Sequence, residues 1–159
     1  MLIAGMRSSR LSHGCGVPSV IRMGTAENKQ LIRGIFDRMA QGDTRAMSEA
    51  MAEDARWVFP GNWSWAGSWG PKSVALEDML RPLMAQFAGD YRSEVDFVLA
   101  DGDRVVVQAR GYATTKRGER YHQTYCYIFR IADGHISEVI EHCDTALVER
   151  VLDPPPTRR

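Results

Sequence analysis

From residue 25 onward the apolar positions fall into repeating patterns. Leu31, Ile32, Ile35, Phe36, Met39 and Ala40 recur at i, i+3 and i+4, which predicts an amphipathic helix over 27–41, capped by Thr25 and ended by Gly42. Asp43 can cap a second, short helix with Ala46, Met47, Ala50 and Met51 on one side. Arg56-Trp57-Val58-Phe59 reads as a short strand stopped by Pro60-Gly61. A third helix over 71–88 starts with Pro71 at its first position and buries Val74, Leu80, Leu83, Met84 and Phe87. Pro82 inside it lacks an N–H and predicts a kink or a split.

Beyond residue 90 the period changes to two. Strands are predicted at 91–99, 104–114, 121–131 and 135–143, separated by Asp101-Gly102, a Lys116-Arg117-Gly118 loop and Asp133-Gly134. Asp144 then caps a last helical turn, 145–152. Helices first and a meander afterwards make an α+β domain over 25–152, with helices gathered on one face of a curved antiparallel sheet. Residues 1–24 carry no periodicity and read as a disordered extension or, ahead of Met23, as upstream codons of a misassigned start. Residues 153–159, with three consecutive prolines, read as a disordered tail.

Charge narrows the function classes. Twenty basic residues balance twenty acidic ones in 159, so no basic excess is available to neutralise phosphates, and no nucleic-acid partner is expected. No apolar run reaches the ~18 residues of a membrane span, and the opening apolar stretch is too short for a secretory signal, which leaves a cytoplasmic protein as the default. Three cysteines make no disulfide framework. Glu141-His142-Cys143-Asp144 looks like a ligand set, but neighbours on a strand face opposite ways, so neither a metal nor another cofactor is expected.

Strand arithmetic sorts the side chains. A two-residue turn at 133–134 places Cys126 opposite Glu141, and a three-residue loop at 116–118 places Arg110 opposite Thr124. One face then carries Gln108, Arg110, Tyr112, His122, Thr124, Cys126, Val139, Glu141 and Cys143. The other carries Val105, Val107, Ala109, Tyr121, Gln123, Tyr125, Tyr127, Ile140 and His142.

Several phrases add a resemblance: Gly42-Asp43, Glu53-Asp54-Ala55-Arg56-Trp57, Gly70-Pro71-Lys72-Ser73-Val74, Tyr125-Cys126-Tyr127-Ile128-Phe129-Arg130, and the closing Asp133-Gly134-His135-Ile136 with Glu141-His142-Cys143-Asp144-Thr145. In this order they resemble the SnoaL-like, ketosteroid-isomerase-related group of the nuclear-transport-factor-2-like superfamily. The resemblance implies a cone with a pocket between sheet and helices, and a homodimer through the outer sheet face. Val105, Val107, Ala109, Tyr125, Tyr127 and Ile140 would form that dimer patch. In the limonene-epoxide-hydrolase branch, the pocket acid matches Glu141 and an arginine matches Arg110. That branch's second acid falls on Tyr112, and its water-holding tyrosine and asparagine fall on Trp57 and Phe59, so its water-activating set is missing here.

Under the resemblance, Glu141 or Asp144 would be a base, while Arg110 and Tyr112 would polarise a substrate oxygen and His122 would be an acid or base. Each has a plainer reading: a structural Arg110–Glu141 ion pair, an N-cap at Asp144, a solvated His122, a packed Tyr112. Trp57, Phe59, Trp63, Trp65, Gln108, Thr124 and Cys126 would line the pocket, the tryptophans serving as an aromatic lid or simply as filling. The expected ligand is an apolar small molecule with oxygen functions. Two functions stay open: a cofactor-independent isomerase, cyclase or lyase moving a proton, and a non-catalytic binding or dimerisation module.

Overall fold

A computed structural model describes residues 24–156, so most of the expected extension and the last three residues of the tail lie outside the described residues. Helix α1 spans Thr25–Ala40 and α2 spans Ala46–Ala50. Strands follow as β1 Met51–Phe59 and β2 Gly67–Trp69. A helical stretch runs through α3 Lys72–Val74, a π-helical segment Ala75–Leu80, and α4 Arg81–Met84. The meander is β3 Arg92–Asp101, β4 Arg104–Thr114, β5 Arg120–Ala132 and β6 His135–Cys143, and α5 Thr145–Val151 closes the domain. The six strands form one curved, unclosed sheet in the order β2-β1-β6-β5-β4-β3, with β1 parallel to β6 and all other pairs antiparallel. This is the α+β architecture the sequence pattern implies, in the cone form the resemblance implies.

Local chemistry explains most departures. Gly24, not Thr25, occupies the α1 N-cap. The Thr25 hydroxyl instead accepts from Gly102 N at 3.1 Å, and Asn28 Nδ2 donates to Gly102 O at 2.9 Å. The tip of the β3–β4 hairpin is thereby pinned to the start of α1. Met51 to Ala55, rich in helix-forming residues, belongs to a strand, because pairing of β1 with β6 outweighs propensity. Pro82 leaves the carbonyl four residues back without its donor, and the helix widens to π geometry just ahead of it.

The β4–β5 register is the expected one, with Gln108 opposite Cys126 and Arg110 opposite Thr124. The β5–β6 register is not. After Ala132–His135 and Ile131–Ile136 the pairing shifts at a bulge, so Arg130 faces Glu138 and Tyr127 faces Glu141. Ser137 is the extra residue. It reverses the faces of Val139, Glu141 and Cys143 relative to the arithmetic, turning them toward the helices. There they join Val105, Val107, Phe129 and Ile136, all fully buried, with Phe36 of α1 packed on Tyr127 and Phe129.

The expected dimer patch is therefore corrected. Val105, Val107, Ala109, Tyr125 and Tyr127 are covered by the chain's own helices. Ile140 alone of that set lies on the outer face.

Candidate functional site

Strand β6 delivers Glu141 into the space between sheet and helices. The residue is 9% exposed, and Trp57 Nε1 of β1 donates to its Oε2 at 2.9 Å. Trp57 also stands edge-on to Tyr127, and Tyr127 stacks between Tyr125 and Phe129. Among the described residues no cation pairs with Glu141. Burial pushes its carboxyl up to about 8, and the Trp57 hydrogen bond offsets only part of that. Near neutral pH the carboxyl is thereby held mainly in its protonated form, with a raised proton affinity.

Four phenols share this interior: Tyr91, which precedes β3, and Tyr121, Tyr125 and Tyr127 on β5. The Tyr121 and Tyr125 hydroxyls lie 3.2 Å apart. Burial raises all four well above the usual tyrosine value, and the charge of Glu141 raises them further, so each remains a protonated donor. Cys143 is pushed up to about 12 by burial and by its acidic neighbours Glu141 and Asp144, which makes it a poor nucleophile. The tyrosines were the missed residues. Their signal was the alternation Tyr121, Gln123, Tyr125, Tyr127, a row of polar-tipped side chains on a face that otherwise holds valines.

The remaining expected site residues divide. Trp57 and Phe59 are inside, and Phe59 packs on Trp63 at 5.3 Å. Trp65 is completely buried and donates to Asp153 O, while the partly buried Trp63 donates to Pro60 O, so both indoles are tied to backbone. Gln108, Arg110, Tyr112, His122, Thr124 and Cys126 share the outer face instead. Arg110 does not meet Glu141. Its Nη2 donates to Asp96 Oδ1 at 2.7 Å, and its Nη1 donates to the Tyr112 hydroxyl. Tyr112 in turn donates to Glu94 and meets His122 edge-on. The Ser137 bulge separates the expected pair, while the three-residue loop at 116–118 forms as the spacing predicts, with Thr115 N donating to Glu119 O.

Asp144 Oδ1 accepts from Leu147 N at the start of α5. Gln123 holds the same corner, donating to Asp144 O and accepting from the N–H groups of Asp144 and Thr124. Among the described residues no three His, Cys, Asp or Glu side chains converge as a metal site would need. Two surface depressions, of about 230 Å³ beside Gln86 and Arg117 and about 390 Å³ beside Asp54 and Arg56, lie away from Glu141.

Helices packed on a curved, open sheet define the nuclear-transport-factor-2-like class. Within it the chain belongs to the SnoaL-like domain family, which matches residues 32–139. No curated protein sequence matches. Among solved structures, Bal32a from a soil-derived mobile gene cassette is 21% identical with a TM-score of 0.70, covering 81% of this chain and 98% of its own. A protein assigned as a SnoaL-like polyketide cyclase from Jannaschia sp. CCS1 is 24% identical with a TM-score of 0.68, over 83% and 95%. TerC, co-crystallised with polyporic acid, is 20% identical with a TM-score of 0.66, over 79% and 97%. The fold thus recurs in proteins that process or bind small molecules. No helix among the described residues is long and apolar enough to cross a membrane.

Proposed function

We propose that this chain is a cofactor-independent enzyme that moves a proton on a mainly apolar, oxygenated small molecule, with Glu141 as its base. One observation carries the reading: a carboxyl without a counter-cation, enclosed by aromatic rings and held by a single indole N–H. A structural carboxylate would be paired, because an unpaired buried charge is costly. A carboxyl left nearly neutral instead has the proton affinity that abstraction from carbon demands. Asp144 is the weaker candidate, since its side chain is engaged as a helix cap.

The reading is tested with 2-tetralone, an apolar aryl ketone whose α-protons exchange with solvent deuterium under NMR observation. The expected result is exchange faster than buffer in the wild type and lost in Glu141→Gln. Equal exchange in both proteins overturns it. Tight binding of the ketone without exchange would favour the alternative, a binding module, for which the dense aromatic filling around Glu141 speaks.

We also read the outer sheet face as a homodimer surface in a cytoplasmic protein. Leu99, Val106, Ile128, Ile140 and Val58 are successive partners across five strands, a continuous apolar row. Leu99 is 59% exposed and neighbouring Phe97 is 48% exposed. A patch of that extent is normally covered in solution.

A further inference from the structure

The apolar row on the outer sheet face begins at Leu99, close to the tip of the β3–β4 hairpin. Val106, Ile128, Ile140 and Val58 continue it across the sheet, each half-buried. The start of α1 is fastened to the same tip. Thr25 Oγ1 accepts from Gly102 N, and Asn28 Nδ2 donates to Gly102 O. Asn28 is 2% exposed, so this fastening is anchored in the core. The chain ahead of Gly24 therefore joins the domain three residues along the hairpin from Leu99.

That chain is long enough and of the right kind to cover the row. Three strand residues span about 10 Å, and the four strand spacings from β3 to β1 span about 19 Å. At about 3.3 Å per extended residue, about nine residues cover the whole path. Those are residues 15–23, in which Val17, Val20, Ile21 and Met23 are apolar and Arg22 is the one charge. Charge also favours the match. Residues 1–23 carry three arginines and no acid, while the rest of the chain carries three more acids than bases. Asp101, at the hairpin tip, is exposed and has no ion-pair partner among the described residues.

We propose that residues 15–23 lie across the outer sheet face as a strap over the apolar row, where they compete with a second copy of the chain. The inference goes beyond the homodimer reading of this face, because it gives the row an occupant while the chain is alone. Val17, Val20, Ile21 and Met23 take Leu99 and its neighbours out of water, and Arg22 meets the Asp101 carboxylate near the point of attachment. A tether fixed at the edge of the row gives the strap a high effective concentration there. Weak contacts then suffice to hold it in a dilute monomer, and a second copy displaces it as the protein is concentrated.

Trypsin cleavage of the full 159-residue chain reads the strap, because the protease needs an undocked segment. Arg22 lies within the strap and Arg10 outside it, which makes Arg10 an internal control. At sub-micromolar protein, cleavage after Arg22 should be about 10-fold or more slower than after Arg10, and it should quicken as the protein is concentrated. Leu99→Lys, at an exposed position, should speed cleavage after Arg22 about 10-fold and leave Arg10 unchanged. Val20→Asp with Ile21→Asp should do the same from the side of the strap. Equal rates at Arg22 and Arg10, or a slow Arg22 that neither variant speeds, overturns the proposal. An Arg22 protected only at high concentration also overturns it and gives the face to the second copy alone. A slow Arg22 released by Leu99→Lys, in a chain that sedimentation finds monomeric at every concentration, keeps the strap and discards the homodimer reading.

Discussion

The indole N–H of Trp57 reaches Oε2 of Glu141 across 2.9 Å, joining residues 84 positions apart on two parallel strands. The bond fixes one carboxyl oxygen, Oε2. It also orients the acid without neutralising it, which an arginine in the same place would do. The pH behaviour of the protein follows from that difference.

Glu141 keeps its proton up to about 8 in the folded chain and loses it near 4.5 when unfolded. Between those values the native state holds a proton that the unfolded state has released. The stabilisation is fully present below pH 4.5, declines as pH rises toward 8, and is lost beyond, by at most about 1.4 kcal/mol per pH unit. Glu141→Gln should flatten this slope and exceed the wild type in stability above pH 8. Urea titrations at pH 5, 6.5, 8 and 9 check it.

Any activity that uses Glu141 as base should climb with pH and level off near 8. Trp57→Phe removes the hydrogen bond that favours the carboxylate, so the rising limb should move to higher pH. The smaller ring should also cost about 1–3 kcal/mol of stability. A limb that stays in place would separate Trp57 from the ionisation.

Arg110→Met should leave the melting temperature and the pH limb unchanged. The guanidinium is solvent-facing and bound to Asp96 on the far side of the sheet from Glu141. A shifted limb in this variant would contradict the register reported for β6.

Gln123→Ala removes three hydrogen bonds at the corner where β5 meets Asp144; the Asp144 N–H loses its acceptor, while Asp144 O still accepts from Val148 N. The expected cost is about 2–4 kcal/mol, read as a lower urea midpoint.

Leu99→Lys places a charge in the apolar row on the outer face and should convert a dimer to a monomer in sedimentation at micromolar concentration. An unchanged sedimentation coefficient would remove the row from the interface.

Much of this architecture was legible in the residues. Asp101-Gly102 and Asp133-Gly134 marked two hairpins because tight turns need their conformations, and both hairpins occur where expected. The two-residue period grouped β4 with β5 correctly. What failed was the phase of β6, because the bulge at Ser137 carries no glycine or proline to announce it. A one-residue slip there moved Glu141 from company with Arg110 to company with the tyrosines, so the acid was legible and its partners were not. β2, three residues long, was invisible for another reason: Trp69 pairs with Trp57, a contact no local pattern encodes.

Asp153 has a consequence beyond its place after α5. Its carbonyl accepts from the Trp65 indole and from Gln86, its N–H donates to the Gln86 side chain, and its carboxylate pairs with Arg117. One residue therefore fastens the tryptophan loop, the chain beyond α4 and the β4–β5 hairpin to a common point. The tryptophan loop is closed by the β1–β2 pairing and the chain beyond α4 is bridged to Thr115, so Asp153 adds a tie from the C-terminal end to segments that pair elsewhere. A truncation before 153 should be felt first at Trp65, whose indole loses its acceptor, as a red-shifted fluorescence.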